Sequence, residues 1–138
     1  MFKVTGIDHI GIAVPELDSV QELFEDVLGI ESHGKETVAD QKVTTAFYPL
    51  GDSELEFLES TAPDGPIAKY IDKNGGRGGI QHVALRVDNL EAALADLKER
   101  GIRLIDEKPR RGAGGNNIAF LHPKATNGIL VELCQKAE

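Results

Sequence analysis

The sequence has 138 residues, of which 41% are hydrophobic and 28% are charged, a balance that suits one compact globular domain. The formal net charge of −8 makes nucleic acids and anionic membranes unfavourable partners. The single cysteine, Cys134, excludes an intramolecular disulfide and fits a reducing cytoplasm. We find neither a secretory signal pattern nor an apolar run long enough to cross a bilayer.

The first part of the chain, residues 5–60, predicts the element order βαβββ. Its opening segment "HIGIAV", at 9–14, is short and rich in β-branched residues, which is typical of a strand. A helix is expected at about 18–28, with Asp18 as its N-cap and Gly29 after its last turn. Three more strands are expected at about 30–36, 42–49 and 54–59.

A linker at 61–77 then leads to a second βαβββ module at 78–135. In the linker, "PIAKYIDKN" has a helical pattern, and its proline suits the first turn of a helix. The second module opens with a predicted strand, "HVALRV", followed by a helix at about 90–100 that Asp88 or Asn89 could cap. Its remaining strands are expected at about 102–107, 116–122 and 128–134.

The two modules are related by an internal repeat. "IDHIGIAV" at 7–14 matches "IQHVALRV" at 80–87, and this places His9 and His82 in the same slot, 73 residues apart. Near the module ends, "LEFL" matches "VELC", which sets Glu56 against Glu132. The repeat predicts an α+β domain made of two tandem βαβββ modules.

The alternation of strand faces predicts where the repeated polar residues lie. His9, Glu56, His82 and Glu132 all fall opposite the rows expected to pack on the helices. Those packing rows are Ile10, Ile12 and Val14; Leu55 and Phe57; Val83, Leu85 and Val87; and Ile129, Val131 and Leu133. If the two sheets face each other, the two imidazoles and two carboxylates meet in one cleft and suit a divalent metal. The alternative for each residue taken singly is a polar side chain on a solvated strand face.

Three other features are weaker candidates for a functional role. His33 lies in the polar segment "ESHGKE" and is expected to be exposed, whereas His122 lies at a strand end and either lines the cleft or has a structural role. The segment "EKPRRGAGG" brings Lys108, Arg110 and Arg111 close together. This basic segment is either a solvated loop or a local anion site on an acidic protein.

Three stretches, "IDHIGIAVPELD", "PIAKYIDKNGGRGGIQHVALRVDN" and "GAGGNNIAFLHPKATNGILVEL", resemble the vicinal-oxygen-chelate superfamily and, within it, the methylmalonyl-CoA epimerase family. The resemblance covers almost the whole chain. It implies a single domain whose curved, partly closed mixed sheet surrounds a metal cleft, with helices outside. It also implies metal ligands at His9, His82 and Glu132. The fourth predicted ligand, Glu56, stands where some epimerases have a glutamine.

The implied reaction is the interconversion of the (R) and (S) epimers of methylmalonyl-CoA through a metal-stabilised enolate. Glu132 is the expected catalytic acid/base, and Co²⁺ is the first candidate for the metal, ahead of Mn²⁺, Mg²⁺ and Zn²⁺. The other implied properties are an acyl-CoA substrate, a cytoplasmic homodimer and a place in propionate metabolism. One departure concerns Thr45, which stands where some epimerases have a second glutamate. Either another group, such as Glu56 or a water, serves the second face or the two-base scheme needs revision, so the second acid/base is left unassigned.

Three alternative functions share this fold. A lactoylglutathione lyase of the glyoxalase I kind would use the same four ligand positions. An extradiol dioxygenase would use redox-active iron and usually two histidines and one glutamate, so Glu56 as a fourth ligand argues against it. A metal-free small-molecule binding protein would keep its ligand after complete removal of metal.

Overall fold

The computed structural model describes residues 1–137 and separates into two compact units. The first unit is His9–Gln81, and the second combines Met1–Asp8 with the chain from His82 onward. The predicted linker therefore falls within the first unit. Among the described residues, no helix has the length and apolarity needed to cross a membrane.

The first unit has the βαβββ order that the sequence predicts. Strand β1 spans Val4–Ala13, and its part from His9 onward belongs to this unit. The other elements are α1 (Asp18–Gln21), which a π-helical segment (Glu22–Val27) continues, β2 (Lys35–Val38), β3 (Val43–Leu50), β4 (Ser53–Ser60) and α2 (Pro66–Lys73). The strands lie side by side in the order β1-β4-β3-β2, in which β1 and β4 are parallel and the other neighbours antiparallel. The helix predicted in the linker is therefore confirmed, with Pro66 in its first turn.

The second unit repeats this arrangement. Strand β5 spans Gly79–Val87, and its part from His82 onward belongs to this unit. The other elements are α3 (Leu90–Glu99), β6 (Arg110–Arg111), β7 (Asn117–Phe120) and β8 (Val131–Gln135). The strand order is β5-β8-β7-β6, again with the first pair parallel and the others antiparallel. The equivalent order in both units confirms the predicted duplication.

Each helix packs on one face of the sheet in its own unit. In the first unit, Phe57 of β4 packs with Leu17 and Val20 near α1, as the strand alternation predicts. In the second unit, Leu133 of β8 packs with Leu94 of α3. Burying one such side chain stabilises the fold by about 1.5–3 kcal/mol. Further core residues are Ala46 and Tyr48 in the first cluster and Val87, Leu90, Ala93 and Ala119 in the second.

The opposite face of the first unit carries its own apolar cluster. Ala13, Val43 and Leu58 project from three strands and contact Ile67 of α2. Both faces of this sheet are therefore covered over part of their area, one by the α1 segment and the other by α2. Two of the predicted ligands, His9 and Glu56, project from this same face of the first unit.

Two predicted helix caps have different outcomes. Asn89 caps α3, because its side-chain oxygen accepts a hydrogen bond of 3.0 Å from the Ala92 amide. The Asp18 cap is wrong, because Asp18 already lies in the helix and the cap position is Leu17. The Leu17 amide instead donates to the carboxylate of Glu59, 42 positions along the chain, at 2.7 Å. A long-range side chain thus replaces the local cap.

Several strand predictions are wrong in position. The strand expected at 30–36 begins only at Lys35, directly after Gly34, whose φ of 94° interrupts an extended chain. The strand expected at 102–107 is reduced to one isolated bridge between Leu104 and Leu121. Ile129, expected to pack, is 56% exposed because β8 begins only at Val131.

Candidate metal centre

The first predicted pair of ligands meets on neighbouring strands of the first unit. β1 and β4 run in parallel with Gly11 opposite Glu56, so His9 and Glu56 share the sheet face that turns away from α1. His9 Nδ1 lies 3.3 Å from Glu56 Oε2. Both residues are 5% exposed, which is rare for a carboxylate unless it is paired or bound to a cation.

The second predicted pair has the same construction in the second unit. β5 and β8 are parallel with Ala84 opposite Glu132, so the glutamate again pairs with the residue two places after the histidine. His82 Nε2 lies 3.5 Å from Glu132 Oε1, and both side chains are buried. The duplication has therefore preserved a buried His–Glu pair in each unit.

The donor chemistry of each pair fits a divalent metal. Each pair offers one imidazole nitrogen and one carboxylate oxygen, which Zn²⁺, Co²⁺ and Mn²⁺ accept. Each pair also carries one carboxylate, whose negative charge favours a cation. Burial also favours a bound cation, because a desolvated carboxylate is costly without a positive partner.

An aromatic ring lies against the second pair. Phe120 of β7 stands directly across the ladder from Glu132, and its ring contacts the imidazole of His82 edge-on at a centroid distance of 5.7 Å. The guanidinium of Arg110 lies 5.5 Å from the centroid of the same ring. Asp106 holds both neighbours, because one carboxylate oxygen accepts from the Phe120 amide at 2.8 Å and the other lies 3.1 Å from Arg110 Nε. Sequence reasoning missed this arrangement, since only the structure brings 106 beside 120.

A second group that sequence reasoning missed is an ion pair in the second unit. Asp8, which precedes His9 in the chain, is 5% exposed, and its carboxylate lies 3.1 Å from Arg86 Nε. The two residues are 78 positions apart. A charged residue inside the strand pattern "IDHIGIAV" was the available signal.

Thr45 occupies a buried position in β3 of the first unit. The residue is 1% exposed, and its hydroxyl has no hydrogen-bond partner within residues 1–137. Leaving a buried hydroxyl unsatisfied costs about 1–3 kcal/mol, so a ligand atom or a water that bonded to this hydroxyl would be stabilising. Thr45 lies opposite Leu58, two residues beyond Glu56 on the same strand.

The three weaker candidates of the sequence analysis are His33, His122 and the basic segment. His33 is exposed, as expected. His122 Nδ1 accepts a hydrogen bond from the Lys124 amide at 3.1 Å, and desolvation together with the charges of Arg103 and Lys124 lowers the pKa of its imidazole. Lys108, Arg110 and Arg111 are all exposed, and the Nε of Arg110 lies 3.1 Å from the Asp106 carboxylate.

With this geometry established, comparison with known proteins identifies the family. The profile of the Glyoxalase/Bleomycin resistance protein/Dioxygenase superfamily matches residues 8–120. The chain belongs to this superfamily. The resemblance seen in the sequence is thereby confirmed, and so is the predicted α+β fold class of two tandem βαβββ modules.

Among members of the superfamily, methylmalonyl-CoA epimerases match over nearly the full chain. The ethylmalonyl-CoA/methylmalonyl-CoA epimerase of Cereibacter sphaeroides is 38% identical, with 94% of this chain and 96% of that protein covered. The crystal structure of methylmalonyl-CoA epimerase from Mycobacterium tuberculosis has a TM-score of 0.92 at 37% identity, covering 98% of this chain and 90% of that one. A methylmalonyl-CoA epimerase in complex with methylmalonyl-CoA and NH4+ has a TM-score of 0.90 at 37% identity, covering 98% and 96%.

A superfamily member of another activity is more distant. The probable lactoylglutathione lyase of Vibrio cholerae is 28% identical, with 94% of this chain and 90% of that protein covered. This lyase and the epimerases are covered to a similar extent, so what distinguishes them from each other is their sequence identity to this chain, 28% against 38%. Within the superfamily, the comparison favours the epimerase over the lyase.

Proposed function

We propose that this protein is a metal-dependent methylmalonyl-CoA epimerase. The observation that carries the proposal is a buried His–Glu pair at the same position of each module, in a chain 37% identical over 98% of its length to an epimerase bound to methylmalonyl-CoA. The substrate is accordingly an acyl-CoA thioester that carries a second carboxylate.

The proposed metal ligands are His9, Glu56, His82 and Glu132. Their two imidazoles and two carboxylates supply four donors, and an octahedral ion would have positions left for substrate oxygens. When bound, the divalent cation would stabilise the negative charge that develops on the thioester oxygen of the substrate. Co²⁺ is the metal we propose, with Mn²⁺, Mg²⁺ and Zn²⁺ as the alternatives for comparison.

Glu132 is the proposed acid/base on one face of the substrate. The C2 proton of the substrate lies between a thioester and a carboxylate. A base positioned beside this proton can remove it, because the product is an enolate whose charge is delocalised onto the thioester oxygen. Glu132 is held by β8 beside His82, with its carboxylate buried away from bulk water. Return of a proton to the other face of the planar carbon completes the inversion.

Metal removal tests the proposed reaction. The protein is stripped with a chelator and assayed with one epimer of methylmalonyl-CoA in D₂O, before and after each metal is restored. We expect no epimerisation without metal, recovery with at least one of the four ions, and deuterium at C2 of the product. Turnover of the hemithioacetal of glutathione and methylglyoxal, with methylmalonyl-CoA inert, would instead identify a lyase. Unimpaired epimerisation by metal-free protein would contradict the metal requirement.

Two substitutions, each assayed for activity and for metal content, test the assigned roles of the glutamates. Glu132→Gln removes a ligand charge and a base together, so we expect loss of both epimerisation and exchange. Glu56→Gln keeps a coordinating amide oxygen, so we expect it to retain metal with activity within about tenfold of the wild type. Metal content is measured for both, and Glu91→Gln, an exposed change on α3, serves as the matched control. Full activity of Glu132→Gln would refute the assignment of that residue.

The finer properties of the proposed enzyme follow from the same family. We propose a homodimer in the cytoplasm that serves propionate metabolism, with one chain supplying all four metal ligands. Sedimentation analysis tests the dimer. Mixing a Glu132→Gln chain with a His9→Ala chain tests the single-chain site, because recovery of activity on mixing would show that ligands are exchanged between chains.

A further inference from the structure

We propose that Glu36, acting through the hydroxyl of Thr45, is the acid/base for the second face of the substrate carbon. This inference rests on the proposed epimerase function and assigns the role that the sequence left open. The glutamate that the family resemblance would place at position 45 is replaced here by a hydroxyl that is a poor base by itself. The structure places a carboxylate on the adjacent strand.

The register of β2 and β3 brings the two residues together. These strands are antiparallel, and Glu36 lies directly opposite Thr45. Side chains that are directly opposite in such a ladder have Cβ atoms about 4.5–5.5 Å apart. The Thr45 hydroxyl has no hydrogen-bond partner among the described residues, so contact with Glu36 requires a change of the glutamate rotamer, which this short distance permits without any change of the backbone.

The orientation of this face follows from the next pair of the ladder. Thr37 and Thr44 are also opposite each other, and their hydroxyl oxygens are 2.9 Å apart. Because successive residues of a strand alternate between faces, Glu36 and Thr45 project from the other face. Lys35 and Thr37 are exposed whereas Glu36 is half-buried, which agrees with this assignment.

The same face carries the first pair of proposed metal ligands. Thr45 is opposite Leu58 of β4, and Glu56 lies two residues earlier on that strand, a separation of about 7 Å along the strand axis. Beyond Thr45 the face is closed by the apolar cluster of Ala13, Val43 and Ile67. Thr45 thus stands at the boundary between a dry core and the polar site, with its hydroxyl unsatisfied.

The proposed step balances in protons. As Glu132 takes the C2 proton, the substrate becomes an enolate. The Thr45 hydroxyl then donates its proton to the opposite face of C2 and at the same time receives a proton from the carboxylic acid of Glu36. One C–H bond breaks and one forms, Glu132 ends protonated and Glu36 ends as a carboxylate. The reverse direction uses the same groups in exchanged roles, which is what epimerisation requires.

Deuterium exchange with each epimer tests the assignment. In D₂O, wild-type protein is expected to epimerise both epimers and to label C2. Glu36→Gln and Thr45→Ala are expected to lower epimerisation on the order of 100-fold, in line with the loss of one acid/base group. In both variants, the epimer whose proton faces Glu132 should still exchange its C2 proton. A purely structural defect would depress exchange of both epimers together.

A rescue variant and a matched control complete the experiment. The double variant Glu36→Gln/Thr45→Glu returns a carboxylate to the adjacent position and is expected to recover epimerisation at least tenfold over Glu36→Gln. Thr44→Ala alters the opposite face of the same strand and is expected to remain active. Wild-type rates in Glu36→Gln, or selective loss in Glu54→Gln instead, would overturn the proposal. Wild-type protein that neither epimerises nor exchanges would overturn the proposed function itself, a distinguishable outcome.

Discussion

The ring of Phe120 stands edge-on to the imidazole of His82, with ring centroids 5.7 Å apart and ring planes at 81°. Arg110 covers another part of the same ring, and Asp106 holds Arg110 in place. A proposed metal ligand is therefore oriented by an aromatic contact whose own position is set by an ion pair. Preorganised ligands bind metal more tightly because less side-chain entropy is lost on binding.

We expect Phe120→Leu to weaken metal binding about five- to tenfold, because an aromatic pair contributes about 1 kcal/mol beyond its buried area. Calorimetric titration of metal-free protein measures the change. Phe24→Leu is the matched control, since Phe24 packs on Phe57 in the apolar cluster beside α1, with centroids 4.8 Å apart. It should lower the melting temperature and leave metal affinity unchanged. Equal metal affinity in both variants would show that Phe120 does not orient His82.

The ion pair of Asp8 and Arg86 predicts strong coupling between two substitutions. Arg86→Met leaves the buried Asp8 carboxylate without this cation, so we expect a loss of about 2–3 kcal/mol in the free energy of unfolding. The double variant Asp8→Asn/Arg86→Met should lose less than the sum of the single variants. Urea denaturation of the four proteins measures the coupling. Strict additivity would mean that the pair contributes nothing to stability.

The hydroxyl of Tyr48 predicts a loss of stability in alkaline solution. It donates a hydrogen bond of 2.6 Å to Glu25, and burial together with that carboxylate raises its pKa to about 12. The unfolded chain loses the same proton near pH 10, so stability is complete below pH 10 and falls as pH rises towards 12. Tyr48→Phe should cost about 1 kcal/mol at neutral pH. Its alkaline loss should be smaller than that of the wild type, as measured by urea denaturation between pH 8 and 11.

The surroundings of Gly78 and Gly6 predict different effects of substitution by alanine on stability. A Cβ on Gly78 would collide with the carbonyl oxygen of Ala13, whereas a Cβ on Gly6 would meet no atom within 4 Å. Gly78→Ala must displace backbone, at a cost of about 1–3 kcal/mol. Gly6→Ala should be neutral or slightly stabilising, because it reduces the freedom of the unfolded chain. Thermal unfolding of both variants measures the difference. Equal melting temperatures would contradict the close approach of Gly78 to the Ala13 carbonyl.

The candidate site could be predicted in part because two of its determinants are local. The alternation of side chains along a strand separates His9 from Ile10 and His82 from Val83 without any tertiary information. Duplication then marks which polar residues recur, and both glutamates follow from the second match. All four residues are buried, which argues against the alternative of a solvated strand face.

The positions of other elements were harder to predict because they depend on distant parts of the chain. Leu17 is capped by Glu59, and the predicted strand at 102–107 is broken where the Asp106 carboxylate accepts the amide hydrogen of Phe120. Neither interaction leaves a periodic signal in the sequence. Each interaction overrides the local secondary-structure propensity, because it provides a hydrogen-bond acceptor for a backbone amide that would otherwise lose its partner on folding.

By itself, the sequence determined the βαβββ order, the repeat and the faces of the strands, since these depend on spacing along the chain. Only the tertiary structure decided which residues meet across strands: Asp8 with Arg86, Phe120 with His82, and Glu36 with Thr45. Register is set by the combined packing of whole sheet faces, and a shift by one residue would turn every side chain of a strand to the other face. That is a property of the assembled sheet, and no single segment of the chain contains it.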